Sequence, residues 1–147
     1  MRRLPVPLLP AWLRWLGVAA VAGFVFVNSV LVAPPPDPVI PGKFDFVPLD
    51  KWRHFLAYAA IAYALAYALA DSERQRTELA VGVFCVAMLY GIGIELCQWT
   101  IPNRFFSVED AYANAIGAGL VVVWYAIEPY LQLRPLSSFV QASETDA

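Results

Sequence analysis

Four stretches of this 147-residue chain, residues 15–33, 55–70, 79–94 and 111–127, contain no charged side chain. A helix rises about 1.5 Å per residue and needs roughly 20 residues, most of them apolar, to cross a hydrocarbon core of about 30 Å. The last three runs are slightly short, so each reaches full length only by taking in the polar residues at one of its ends. Those residues are Asp50, Lys51, Arg53 and His54 entering the second run, Glu95 and Gln98 leaving the third, and Arg104, Asp110 and Asn114 entering the fourth. With alternating connectivity, all three polar ends fall on the same side of a membrane.

Composition agrees with that class. Hydrophobic residues make up 60% of the chain and charged residues 15%, and the mean hydropathy is +0.58, which excludes an ordinary soluble domain. The expected fold is all-α, a polytopic membrane bundle of four transmembrane helices over about 12–33, 52–70, 79–101 and 108–128. These form one domain with a mobile tail over 137–147. Arginines flank the inner ends: Arg2, Arg3 and Arg14 before the first run, Arg74 and Arg76 after the second, and Arg134 after the fourth. The positive-inside rule then predicts a multi-pass plasma-membrane protein with both termini cytoplasmic and the polar cluster outside. The first run is too long for a typical signal-peptide core, and retention of the N-terminus is expected. The proline-rich segment 34–48, with Phe44 and Phe46, is expected to lie as an extended outer loop.

Helical spacing places the polar groups on shared faces. Lys51, His54 and Tyr58 follow i, i+3, i+7; Gly91, Glu95 and Gln98 follow i, i+4, i+7, as do Asp110, Asn114 and Gly117. The glycines let neighbouring helices approach closely. Counted from Leu79, Glu95 stands about 24 Å along its helix, roughly one turn below the surface, where an ionisable residue faces protein or a water-filled cavity. A tilted or shorter helix would leave it among the headgroups instead. Plain structural roles compete elsewhere: Ser107 and Asp110 fit a capping box, Asn114 fits an interhelical hydrogen bond, and Arg53 fits a snorkelling base. Cys85 and Cys97 lie too far apart along one helix to pair. No zinc spacing or redox motif is present, and neither a metal nor a cofactor is expected.

The run Leu49-Asp50-Lys51-Trp52-Arg53-His54-Phe55 with Tyr58, then Tyr90-Gly91 with Glu95 and Gln98, then Pro102-Asn103-Arg104-Phe105-Phe106-Ser107 with Asp110, Asn114 and Gly117, resembles the VanZ-like family. The resemblance covers about residues 49–120. It implies a small polytopic membrane protein, related to a namesake that confers low-level resistance to the glycopeptide teicoplanin. Family members commonly show Pro-Gly-Arg where this chain has Pro102-Asn103-Arg104, and asparagine tolerates the same left-handed turn.

Three readings of the polar residues follow. In the first, an outward-facing site of Lys51, His54, Tyr58, Glu95, Gln98, Arg104, Asp110 and Asn114 binds an anionic envelope lipid or a glycopeptide-related ligand. Lys51 and Arg104 would hold the anionic group. In the second, the chain is an intramembrane hydrolase or transferase acting on a lipid-linked substrate. Its catalytic candidates are Glu95, His54 and Asp110, which could also form a metal site. In the third, the same charges only pair with one another. The expected partners are membrane lipid and such a ligand, not nucleic acid; the oligomeric state stays open.

Overall fold

The computed structural model describes residues 3–32, 48–101 and 107–139. The expected loop over 34–48, apart from Pro48, the segment 102–106 with Arg104, and most of the expected tail lie outside the described residues. The elements in order are strand β1 (Leu4–Leu8), helix α1 (Ala11–Phe26) running into a π-turn (Val27–Leu31), α2 (Leu49–Ala68), α3 (Arg76–Trp99), α4 (Val108–Gly119), α5 (Val121–Ile127), a 3-10 turn (Glu128–Tyr130) and strand β2 (Leu131–Pro135).

The chain is predominantly helical, and three helical stretches are long and apolar enough to cross a membrane: Ala11–Leu31, Arg76–Trp99 and Val108–Tyr130. The helix over the second expected span, α2, falls short of that apolarity. Its first turns carry Asp50, Lys51, Arg53 and His54, and the rest is largely alanine with three tyrosines. The reason lies in its position. Helix α2 packs against α1, α3, α4 and α5, and buries Tyr58, Ile61, Ala62, Leu65 and Ala66 among them. A helix sheathed by protein gains its stability from close packing, so it can use small side chains where α1 and α3 present Leu16, Phe24, Val86 and Leu89 outward.

Contacts fix the helix directions. The start of α1 meets the end of α2, where the Arg14 guanidinium donates to the Ala68 carbonyl at 2.9 Å. Helices α1 and α3 run the same way, because the Tyr90 hydroxyl donates to the Ala22 carbonyl and the Gln98 amide to the Ser29 carbonyl, further along the chain in the π-turn. Helices α2 and α4–α5 also run together, from Lys51 beside Asp110 to Tyr67 against the Trp124 ring. Arg76 at the start of α3 pairs with Glu128 beyond α5 at 2.5 Å, so α3 opposes α5. The four helical segments therefore alternate in direction.

The parallel pairing of β1 with β2 is a feature the sequence did not announce. It joins the segment before α1 to the segment after α5, at the same end of the bundle as the 69–75 turn. Pro5 and Pro7 sit two residues apart in β1, so both ring nitrogens lie on one edge. The Pro7 carbonyl on that edge accepts from the Tyr67 hydroxyl at 3.0 Å, away from β2. Arg14 departs from expectation as well: read as a flanking interfacial charge, it is buried inside α1 and paired with Asp71.

The Arg14 hydrogen bonds hold the Asp71 carboxyl below the usual carboxylate range. A depressed value stabilises the folded state fully above the unfolded pKa, and that contribution is lost as pH falls through the folded value. Thermal stability in detergent should therefore fall as pH drops below about 4, and Asp71→Asn should flatten that part of the profile. An identical acid limb in the variant would remove Asp71 from the account.

Candidate functional site

Helix α4 starts at a cap built by its own sequence: Ser107 Oγ accepts from the Asp110 backbone amide at 3.3 Å. Half of the expected capping box is thus present, while the Asp110 carboxylate is turned across to α2, where Oδ1 accepts from Lys51 Nζ. Lys51 also lies within 3.5 Å of Asp50 Oδ2 and of Glu109 Oε2, and donates to Ser107 Oγ at 3.3 Å. Three carboxylates thus surround one ammonium.

One turn along α2, His54 stands between Asn114 and the same acids. Its Nδ1 is 3.1 Å from Asn114 Oδ1, and its Nε2 is 3.8 Å from Asp110 Oδ2 and 4.0 Å from Asp50 Oδ1. Asn114 is only 2% exposed. A second turn along, Gly117 lets α4 close onto α2: a Cβ there would stand 2.2 Å from the Phe55 carbonyl oxygen. This close approach brings the Asp110 and Asn114 faces within reach of short side chains on α2.

Asn114 has a second neighbourhood. Between α3 and α4 opens a cleft of about 510 Å³, lined by Met88, Gly91, Ile92, Glu95, Leu96, Trp99, Ala111 and Asn114. Apart from Glu95 and Asn114 its wall is apolar, and Ile92, Leu96 and Trp99 are exposed on a helix apolar enough to lie in lipid. Gly91 forms part of the floor over Tyr58, whose ring carbon would stand 2.8 Å from an added Cβ.

The sequence-predicted residues therefore separate. Lys51, His54, Asp110 and Asn114 form one polar cluster. Glu95 lies in the cleft beside Asn114, with Tyr58 buried under Gly91. Gln98 turns the other way and bonds the Ser29 carbonyl at 2.8 Å, locking α3 to the π-turn. Arg104 lies outside the described residues. The sequence places Asp50 only among the polar residues entering the second run and gives Glu109 no role; the i, i+4 spacing of Asp50 and His54 is the signal that could have joined Asp50 to the site. The apolar lining had none, because Ile92, Leu96 and Trp99 look like any lipid-facing residues.

The VanZ/LLP1 family model matches residues 11–128. This chain belongs to the VanZ/LLP1 family. The match runs from the first residue of α1 to the start of the 3-10 turn, so it includes both the cluster and the cleft and leaves β1 and β2 outside. No curated protein and no solved structure matches the chain. As a VanZ/LLP1 membrane protein, it carries its polar residues where α2 and α4 begin and α3 ends.

Proposed function

We propose that this VanZ/LLP1 protein binds an envelope lipid, seating its acyl portion in the cleft between α3 and α4 and its headgroup against Glu95 and Asn114. The cleft carries this reading. It is apolar, opens on the outer face of a membrane-compatible helix, and holds a carboxylate and an amide as its polar groups. Apolar concavities with a few placed polar groups are what small-ligand sites look like, and a cleft bathed in lipid meets lipid first. The family namesake's resistance to teicoplanin makes a glycopeptide-related molecule the second candidate for the same cleft.

In this reading α2 crosses the membrane with the other three, since it runs beside α4–α5 from Lys51 to Tyr67. Four crossings place both termini on one side. Arg74, Arg76 and Arg134 stand at the end carrying the paired strands, which makes that end cytoplasmic and the cluster outward-facing. Lys51 is already committed to carboxylates, so an anionic headgroup would depend on Arg104 or on a bound cation rather than on Lys51 alone.

Native mass spectrometry of the detergent-purified protein tests the proposal. Wild type should retain one lipid species. Ala111→Trp, which fills the cleft, should reduce that occupancy at least tenfold, and Glu95→Gln should change which headgroups are kept. Equal retention in wild type and Ala111→Trp would refute the cleft as the binding site.

A further inference from the structure

Of the three carboxylates around Lys51, the two that also face His54 divide their oxygens between the two neighbours. Asp110 gives Oδ1 to Lys51 and turns Oδ2 toward His54, while Asp50 gives Oδ2 to Lys51 and turns Oδ1 toward His54. Lys51 thus holds the outer oxygens and leaves an inner pair converging on the imidazole. In the tautomer whose Nδ1–H donates to Asn114 Oδ1, the Nε2 lone pair is the atom left facing that inner pair. Three acceptor atoms, each from a different residue, then meet at one point.

We propose that Asp50, His54 and Asp110 form a binding site for a divalent transition-metal cation of the Zn²⁺ or Mn²⁺ type. This inference does not rest on the lipid reading. Candidate ligand atoms of the three residues all lie within 4.8 Å of one another. Around a tetrahedral ion with bonds of about 2.0–2.2 Å, neighbouring ligand atoms stand roughly 3.3–3.6 Å apart. Separations of 3.8 and 4.0 Å from Nε2 to the two oxygens therefore need to close by only a few tenths of an ångström, and the two oxygens, within 4.8 Å of each other, by at most about 1.5 Å. One imidazole nitrogen with two carboxylate oxygens suits Zn²⁺, Mn²⁺ or Fe²⁺ better than Ca²⁺ or Mg²⁺.

The surroundings match as well. A metal-bound histidine commonly donates its other ring N–H to a fixed acceptor, which sets tautomer and ring orientation. Here that acceptor is Asn114, buried and positioned by the close α2–α4 contact at Gly117. Two carboxylates neutralise a divalent ion, and Lys51 orients both without occupying the inner oxygens. The remaining coordination positions would be free for water or an anionic group. No metal was expected from the sequence, and the donor set differs from the one its hydrolase reading allowed, with Asp50 in the place of Glu95.

The experiment uses the full chain in detergent, stripped with chelator and then titrated with Zn²⁺ and, separately, Mn²⁺ by calorimetry at neutral pH. One equivalent should bind. Asp50→Asn should weaken binding at least tenfold, whereas Glu109→Gln, whose carboxylate contacts only Lys51 among these groups, should leave it within twofold. Pulsed electron paramagnetic resonance on the Mn²⁺-loaded wild type should show one histidine nitrogen coupled to the ion, a readout that survives even if His54 variants fail to fold. Absence of a stoichiometric ion overturns the proposal. So does binding unchanged in Asp50→Asn, or a bound Mn²⁺ with no nitrogen coupling. Loss of lipid retention with metal binding intact would count against the cleft alone.

Discussion

Replacing Arg14 with alanine is expected to destabilise the folded bundle by more than the roughly 1.5–3 kcal/mol of a single hydrogen bond to a charged group, since Arg14 makes several. The Arg14 side chain is 2% exposed. One guanidinium nitrogen donates to the Tyr67 and Ala68 carbonyls at 3.3 and 2.9 Å and to Asp71 Oδ1 at 3.0 Å, and the other to Asp71 Oδ2 at 2.5 Å. The two carbonyls belong to the last turn of α2, which has no further helical amides to receive and carries the negative end of the helix dipole. One planar fork thus closes α2, binds the following turn and fastens both to α1.

Arg14→Lys should recover only part of the loss, since a single ammonium cannot span a carboxylate edge and two carbonyls together. Asp71→Asn should cost less than Arg14→Ala, because the Asp71 side chain is 56% exposed and regains water when its partner is weakened. At roughly 2–4 °C per kcal/mol for a chain of about this size, Arg14→Ala should lower the detergent melting temperature by on the order of 10 °C. A shift of only a degree or two would show that α1 is fastened elsewhere.

The second large effect is expected at Gly117. An alanine Cβ there would stand 2.2 Å from the Phe55 carbonyl oxygen and 3.2 Å from the Ala59 nitrogen. Both are backbone atoms of α2, so no side-chain rotation relieves the overlap and the helices must separate. Overpacking of this kind costs about 1–3 kcal/mol and occasionally more. Separation also lengthens the Lys51–Asp110 and His54–Asn114 contacts, which depend on the same closeness. Gly117→Ala should therefore lose both melting temperature and metal affinity. Gly93→Ala, with nothing within 4 Å of an added Cβ, serves as the control and should change neither. A Gly117→Ala protein with wild-type stability would mean that α2 and α4 can part freely.

Gly91 makes a softer contrast. Its added Cβ would meet the Tyr58 ring rather than backbone. Side-chain movement can absorb part of that overlap, so Gly91→Ala should cost less than Gly117→Ala in the same melting experiment.

Much of this was legible without coordinates. Long charge-free runs leave few options, because a backbone in hydrocarbon must satisfy its own hydrogen bonds and a helix does so within one segment. Periodicity put Lys51 with His54 and Asp110 with Asn114 on single faces, and the small residues Gly91 and Gly117 do lie at close helix contacts. Periodicity says nothing, however, about which helix a face meets. Gln98 shares a face pattern with Glu95, yet α3 meets α2, α4, α5 and the π-turn after α1, and the longer side chain bonds back to that π-turn.

Burial of charge was equally hidden. Arg14 looked like a flanking base, since one-dimensional hydropathy cannot know that Asp71, 57 residues away, returns to the same point. Nor could it show that α2, less apolar than its neighbours, is the helix the others surround. The strand pairing of a proline-containing N-terminal segment with the segment after α5 likewise has no local signal. The sequence by itself determined a helical membrane chain and the end at which its polar groups gather, because those follow from local hydropathy and spacing. The tertiary structure alone decided that Asp50 joins His54 and Asp110, that a cleft opens beside Asn114 and that Arg14 closes α2, because each depends on helices distant in the chain packing side by side.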